Sequence, residues 1–330
     1  MPDCDIVQNF RSELASYSST PALIVDAVED PMDLPAGPGR LNVPWMPTVH
    51  SALSRFAVTF LGEVRLLAAD LPPSLFEGTA TEQSAAVWFA MEQPHLSVVN
   101  GVPLPEPALV VAAPGARCQA YWPAAAVPSQ VAVAISLPSA ETPTAWPIAS
   151  PMFTVHRVDP SGLRRLRVAV RDVLRTAAYD PTALATDEAR RAAGARLVGA
   201  ASALLAEGRA VEIPPAIPAP RYLDVLDRID RFVAERPDRP ILLDEVAASL
   251  RLAPRTVHNI MKTMRGMTLQ AYVKTIKLRS ARRHLLQTEA CDLVKQAALR
   301  HGYTHLGRFS QEYTKFFGES PSATLSRRTR

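Results

Sequence analysis

Apolar positions follow two periods along this chain, and the switch between them divides it. Between residues 55 and 157 they alternate, as in Phe56, Val58 and Phe60, in Val87, Phe89 and Met91, and in Val131, Val133 and Ile135. A period of two belongs to half-buried strands. Val99-Asn100-Gly101-Val102 marks a hairpin, because Asn-Gly accepts the positive φ angles of a tight primed turn. Short strands punctuated by proline predict a sandwich or small barrel. From residue 160 the period lengthens to that of a helix. Leu163, Leu166, Val170, Val173 and Leu174 share one face. A second helix, opened by Pro181 and ended by Gly208, carries Leu184, Leu197, Ala201, Leu204 and Leu205. This pair covers a sheet face, offers a dimerisation surface, or does both. Before residue 55, Pro31, Pro35, Pro38, Pro44 and Pro47 exclude long regular elements, so 1–54 reads as a partly ordered arm packed on the domain that follows.

Pro214, Pro215, Pro218 and Pro220 make residues 209–220 an extended, semi-rigid linker. Beyond it the helical period dominates. Leu223, Val225, Leu226, Ile229 and Phe232 give the apolar positions of a helix over 222–235. From Leu242 to Met264 a helical hairpin follows: Leu242, Val246, Ala247 and Leu250 form one face, Arg251-Leu252-Ala253 turns, Pro254 opens the next helix and Gly266 ends it. A long helix comes next, from about Leu269 to Leu286, with Tyr272, Ile276, Leu278, Ala281 and Leu285 facing inward. The stretch from Ala290 to Leu325 then repeats the hairpin. Leu293, Val294, Ala297 and Ala298 form the first face, Gly302 caps it, and a helix beginning near His305 carries Leu306, Phe309, Tyr313 and Phe316 or Phe317. Gly318 caps that helix, and Ser320-Pro321 starts a last short one. Two helices joined by a short turn form a helix-turn-helix, whose second helix enters the DNA major groove. Any helical hairpin can look like this; a second copy about fifty residues away strengthens the DNA reading.

Charge points the same way. From Arg221 to Arg330 there are 21 Lys+Arg against 11 Asp+Glu, a net of +10, and the whole chain carries +4, so residues 1–220 carry 4 − 10 = −6. A basic unit beside an acidic one is the electrostatic footprint of a nucleic-acid binder. The 330 residues suggest two domains. No apolar run is long enough to span a bilayer, and MPDCDIVQNF is no secretory signal. Cys4, Cys118 and Cys291 are an odd number without metal spacing, which fits a reducing cytoplasm.

Leu278-Arg279-x-Ala281-Arg282, Ala298-x-x-x-Gly302-Tyr303, Phe309-Ser310 and Phe317-Gly318-x-Ser320-Pro321 occur in this order over a C-terminal third that resembles the AraC/XylS family of bacterial transcription regulators. His305-Leu306-Gly307-Arg308-Phe309 and Pro321-Ser322-x-Thr324-Leu325 are similar to the XylS-type branch. The resemblance implies a multidomain α+β fold: a β-rich cupin-like or jelly-roll sensor with a helical dimerisation segment over 55–208, then an all-α DNA-binding domain over 221–330 with two helix-turn-helix units. It implies a cytoplasmic homodimer that activates transcription with RNA polymerase. It also implies a small organic effector, of the class of small aromatic carboxylates to which XylS-type regulators commonly answer, while the sequence itself does not name the effector.

The early, outward positions of each second helix are the candidates for base contact: Arg255, His258 and Asn259 in the first, His305, Arg308 and Gln311 in the second. Arg matches guanine O6 and N7, and Asn or Gln an adenine edge. Gly307 departs from the side-chain-bearing residue often found at that place. Lys262, Lys274, Lys277, Arg279, Arg282 and Lys315 are candidate phosphate contacts or solvated charges, with internal salt bridges open for Arg279 and Arg282. Leu252, Val257, Leu306 and Phe309 read as core. Trp88, Phe89, Tyr121 and Trp122 either line an effector pocket or belong to the core.

No cofactor and no metal is expected. His50, His95 and His156 precede the basic region without ligand spacing. Ala113-Pro114-Gly115-Ala116-Arg117-Cys118 resembles the turn where many such sensors place a histidine, and Cys118 stands in its place. Two other functions remain: a cupin-like enzyme with an accessory DNA-binding domain, and an effector-independent architectural DNA binder. No phosphate loop, GxSxG elbow or paired-histidine site supports the enzyme.

Overall fold

The computed structural model describes residues 10–28, 45–47, 54–79, 83–91, 97–122, 130–148, 153–211, 219–287 and 294–327. Cys4, His50, His95, Cys291, Leu293 and most of the predicted linker lie outside them. The chain splits into two compact units, one ending at Ala216 and one running from Ile217 to Arg330.

The first unit opens with helix α1 (Phe10–Ser16) and strands β1 (Ile24–Val28) and β2 (Trp45–Pro47). Then come β3 (Ser54–Leu61), β4 (Val64–Leu71), β5 (Ser74–Thr79), β6 (Ser84–Ala90), β7 (Val98–Val99) and β8 (Val102–Pro103). Next are β9 (Ala108–Ala112), β10 (Arg117–Tyr121), β11 (Gln130–Pro138) and β12 (Thr154–Arg157). Helices α2 (Pro160–Tyr179) and α3 (Asp187–Glu207) follow, and β13 (Arg209–Ala210) closes the unit. The strands form two antiparallel sheets. The larger has the order β1-β3-β4-β11-β6-β9-β12-β13, the smaller β2-β5-β10-β7-β8.

The period of two sorts side chains between the faces of the larger sheet. Val87, Phe89, Leu109, Val111, Val131, Val133 and Ile135 pack against α2 and α3 through Leu163, Leu166, Val170, Leu197 and Ala201. On the opposite face Ala86, Trp88, Val110 and Ala112 meet Val99, Cys118 and Ala120 of the smaller sheet. Cys118 is a buried hydrophobe whose thiol pKa is pushed up by burial. The β7–β8 hairpin turns through Asn100 and Gly101 at φ 48° and 80°, as its sequence predicts.

The apolar faces predicted on the helix pair are buried within this unit, where they cover the sheet. The proline-rich start also contributes more than an arm: Phe10 and Leu14 of α1 and Leu23 are buried in the same core, and β1 pairs with β3. Glu13 of α1 ion-pairs with Arg171 and Arg175 of α2, and Thr20 donates to the Ala177 carbonyl.

The elements of the second unit, among the described residues, are all helices: α4 (Ala219–Ala234), α5 (Leu243–Leu250), α6 (Pro254–Arg265), α7 (Leu269–Gln287), α8 (Val294–Arg300), α9 (Leu306–Phe317) and α10 (Pro321–Arg327). Leu223, Val225, Leu226, Ile229 and Val233 form the buried face of α4. Phe232, predicted to join them, is half-buried under the Arg236 guanidinium, 3.9 Å from its ring centre. Around the end of α7, Leu278, Ala281 and Leu285 pack with Ala297, Ala298, Phe309, Tyr313 and Phe317.

Candidate nucleic-acid interface

The two helical hairpins, α5–α6 and α8–α9, end their helices by the same chemistry. At the end of α5, Arg251 adopts φ 56°, Leu252 N–H donates to Ala247 C=O at 2.9 Å and Arg251 N–H to Ala248 C=O at 3.1 Å. At the end of α8, Gly302 adopts φ 79°, Tyr303 N–H donates to Ala298 C=O at 2.9 Å and Gly302 N–H to Leu299 C=O at 3.0 Å. Both are Schellman caps. The reading helices α6 and α9 end on left-handed glycines, Gly266 donating to Lys262 C=O and Gly318 to Thr314 C=O. Their first buried residues, Val257 and Phe309, correspond, as do Met261 and Tyr313. The turn of the second copy is one residue longer, which aligns Asn259 with Gln311 and Arg255 with Gly307.

Each copy is braced by a buried arginine against a carboxylate. Arg265, at the end of α6, is fully buried and makes two bonds to Asp230 of α4, at 2.7 and 2.6 Å. Its guanidinium lies 4.2 Å above the Tyr272 ring of α7, and Tyr272 Oη donates to Asp230 at 2.7 Å. In the second copy Arg282 of α7 donates to Glu319 at 2.6 Å and sits 4.8 Å from the Phe317 ring centre. Thr324 of α10 donates to the same carboxylate oxygen at 2.8 Å and lies 2.8 Å from Tyr313 Oη. Desolvated pairs of this kind resist loss of one partner, because a lone buried charge is costly. They fix the reading helices to α4, α7 and α10.

All six candidates for base contact are exposed: Arg255, His258 and Asn259 on α6, Arg308 and Gln311 on α9, and His305 as the N-cap of α9. Lys262, Lys274 and Lys315 are exposed as well. The other three phosphate candidates need correction. Lys277, Arg279 and Arg282 are buried. Lys277 Nζ donates to the Arg239 carbonyl at 2.6 Å, and burial lowers its pKa. With Arg282 held by Glu319, these side chains serve packing within the unit. A basic residue on a helix gives no sign of which face it occupies until the neighbouring helices are placed.

Two predicted core residues also move. Leu306, at the first turn of α9, is 37 % exposed, and Leu242 is exposed as the N-cap of α5. Leu252 is half-buried.

The aromatic quartet of the first unit does not line one pocket. Trp88 and Phe89 are consecutive on β6 and point to opposite faces. Phe89 joins the sheet–helix core, and Trp122 is buried with its indole N–H donating to the Pro72 carbonyl at 2.9 Å. Tyr121 is half-buried. Trp88 and Phe89 do both border one small hollow, of about 10 Å³ or roughly one water, with Leu104, Glu106, Val110 and Arg167. Arg167 donates to the Ala90 carbonyl at 2.9 Å and lies 3.6 Å from Glu106.

Among the described residues no cluster of three or more His, Cys, Asp or Glu is placed to hold a metal. None of their helices is long and apolar enough to cross a membrane.

Residues 246–327 match a family model described as a helix-turn-helix domain. Over 100 residues, 30 % of this chain and 31 % of the relative, the chain is 35 % identical to the XylDLEGF operon transcriptional activator of Pseudomonas putida. The C-terminal third is similar to AraC/XylS-type activators. The chain is also 36 % identical over 92 residues to the HTH-type transcriptional activator RhaS of Klebsiella pneumoniae, 28 % of this chain and 31 % of that one. Among solved structures, a probable AraC family transcriptional regulator from Rhodopseudomonas palustris is 28 % identical, with a TM-score of 0.30, covering 32 % of this chain and 97 % of that one. The likeness to the two curated relatives thus spans just under a third of their length. Both are named as transcriptional activators.

Proposed function

We propose that this protein is a sequence-specific DNA-binding regulator, an activator of transcription controlled by a small organic effector. The observation that carries the reading is the pair of matched helix-turn-helix units, each presenting exposed groups suited to base edges on its second helix. Helix α7, 19 residues long, spans roughly 28 Å at 1.5 Å per residue. That length suits two reading helices entering successive major-groove segments, about 34 Å apart on one DNA face. Arg255, His258, Asn259, His305, Arg308 and Gln311 then read bases, while Lys262 and Lys315 meet phosphates; Lys274 ion-pairs with Glu312 at 3.2 Å instead. The experiment is selection from randomised duplexes with the full chain. Enrichment of one motif with two contact segments about a helical turn apart is expected; binding set by salt alone, with no enriched sequence, overturns it.

In this reading the first unit senses the effector and pairs two chains, in the cytoplasm, and the bound dimer engages RNA polymerase. The outward face of α3, with Arg196, Gly199 and Ala203 exposed, suits a second copy better than the buried faces of the helix pair. Trp88 and Arg167 are the effector-site residues we favour, an aromatic wall beside a guanidinium; the hollow between them has room for about one water, so binding requires it to open and Arg167 to leave the Ala90 carbonyl and Glu106. Titration with aromatic carboxylates, followed by tryptophan fluorescence, tests it: all four tryptophans lie before residue 147.

A further inference from the structure

Helix α6 carries no acidic residue, whereas α9 carries one, Glu312, on the flank that faces α7. Phosphates repel a carboxylate, so an acid here opposes DNA binding unless it does something the neutral residue cannot. Its position in the first copy is held by Ile260, which is buried. Glu312 is 19 % exposed and divides its two oxygens between two cations. Oε1 accepts from Arg308 Nε at 3.1 Å, one turn back on α9, and Oε2 lies 3.2 Å from Lys274 Nζ on α7. Arg308 itself is 76 % exposed. Solvated pairs of this kind contribute little to stability, so the arrangement matters for where the guanidinium is held. Binding through Nε leaves the Nη1–Nη2 edge, the fork that spans guanine O6 and N7. Lys274 offsets the charge of the carboxylate that does the holding.

We infer that Glu312 is a positioning residue for specificity: it orders Arg308 on α9 before DNA arrives, so that this one side chain reads its base pair without the entropic cost of immobilising a free arginine. The inference rests on the DNA-reading role proposed above. It predicts effects of opposite sign. Removing the carboxylate's charge raises affinity for non-specific DNA, because a repulsion with phosphate is gone. The same change lowers discrimination at the base pair that Arg308 reads, by about three- to tenfold, the range set by ordering one long side chain. A merely structural role would lower both.

The test is a double-mutant cycle on the full chain with Glu312→Gln, Arg308→Ala and the double variant. Each is put through selection from randomised duplexes and through titration with non-specific DNA, and each is melted to confirm folding. Glu312→Asp, which keeps the charge but withdraws it by one methylene, serves as the second variant. We expect Glu312→Gln to relax the one position that Arg308→Ala relaxes, and to add nothing in the Arg308→Ala background. Glu312→Asp should relax the same position while leaving non-specific affinity unchanged. A motif unchanged by Glu312→Gln, or additive effects of the two substitutions, overturns the inference while leaving the DNA-binding reading intact. A wild-type chain that enriches no sequence overturns both.

Discussion

Acid should unfold the second hairpin before the rest of the protein, through one histidine. His301, at the end of α8, is only 9 % exposed, and among the described residues neither ring nitrogen finds a hydrogen-bond partner. Its pKa is lowered to about 4, first by burial and then by His284, Arg300, Lys277 and Arg283, all of them cationic or able to become so. The His284 ring packs edge-on against it at 5.9 Å between centroids. The unfolded chain regains an ordinary histidine pKa near 6.5. Below that pH the unfolded state binds a proton that the folded state refuses, so stability falls as pH drops from about 6.5 towards 4 and is fully present above 7. At 1.36 kcal/mol per unit, pH 5 costs about 2 kcal/mol relative to pH 7.5, and the loss levels off near 3 kcal/mol below the folded pKa. The assay is urea unfolding of the full chain at both pH values. Tryptophan fluorescence follows the first unit, which holds every tryptophan, and ellipticity lost without a fluorescence change follows the second. His301→Leu keeps the site apolar and removes the titration, so its second-unit midpoint should respond to pH much less than that of the wild type. Equal losses in the wild type and His301→Leu would refute the assignment to this imidazole.

Asp230→Ala should destabilise the second unit by about 3 kcal/mol, because it strands the buried Arg265 guanidinium and the Tyr272 hydroxyl together; a urea midpoint within error of wild type would count against the brace. Gln311→Ala should relax one base pair, worth about 1–3 kcal/mol of discrimination, while Lys315→Ala should weaken all sequences alike and reduce the salt slope by about one. Salt-dependent titrations on matched and mismatched duplexes separate the two. Leu166→Asp should unfold the first unit rather than yield a folded monomer, since Leu166 is fully buried between α2 and the larger sheet; a folded variant of altered oligomeric state would show that α2 has a second role. Gly302→Ala should destabilise the second hairpin by about 1 kcal/mol or more. Its φ is +79°, and a Cβ there would lie 2.8 Å from Lys277 Nζ and 3.0 Å from the Asp238 carbonyl. Thermal melting checks it.

Local signals in the sequence determined much of this protein. Alternation in Val131, Val133 and Ile135, the Asn100-Gly101 turn, the prolines at Pro254 and Pro321, and the glycines at Gly266, Gly302 and Gly318 each act through backbone sterics or through a period that neighbours do not alter. The outward residues of α6 and α9 were legible for the same reason. A helix with one apolar face leaves little choice about which side chains remain on the other. What only the tertiary structure decided were the properties that depend on which element covers which. Lys277, Arg279 and Arg282 sit on α7, a helix packed on several sides; internal salt bridges were open for Arg279 and Arg282 in the sequence, but charge and spacing gave no sign that Lys277 turns inward too. Leu306 and Leu242 fit an apolar period but fall at helix starts, where neighbouring elements cover them only in part. Phe10, Leu14 and Leu23 enter the core from a proline-rich stretch, because α1 docks on α2 and β1 closes the edge beside β3. Glu312 is one acid among many in the sequence. It becomes a link between two helices only when α7 brings Lys274 to one side of it and a helical turn brings Arg308 to the other.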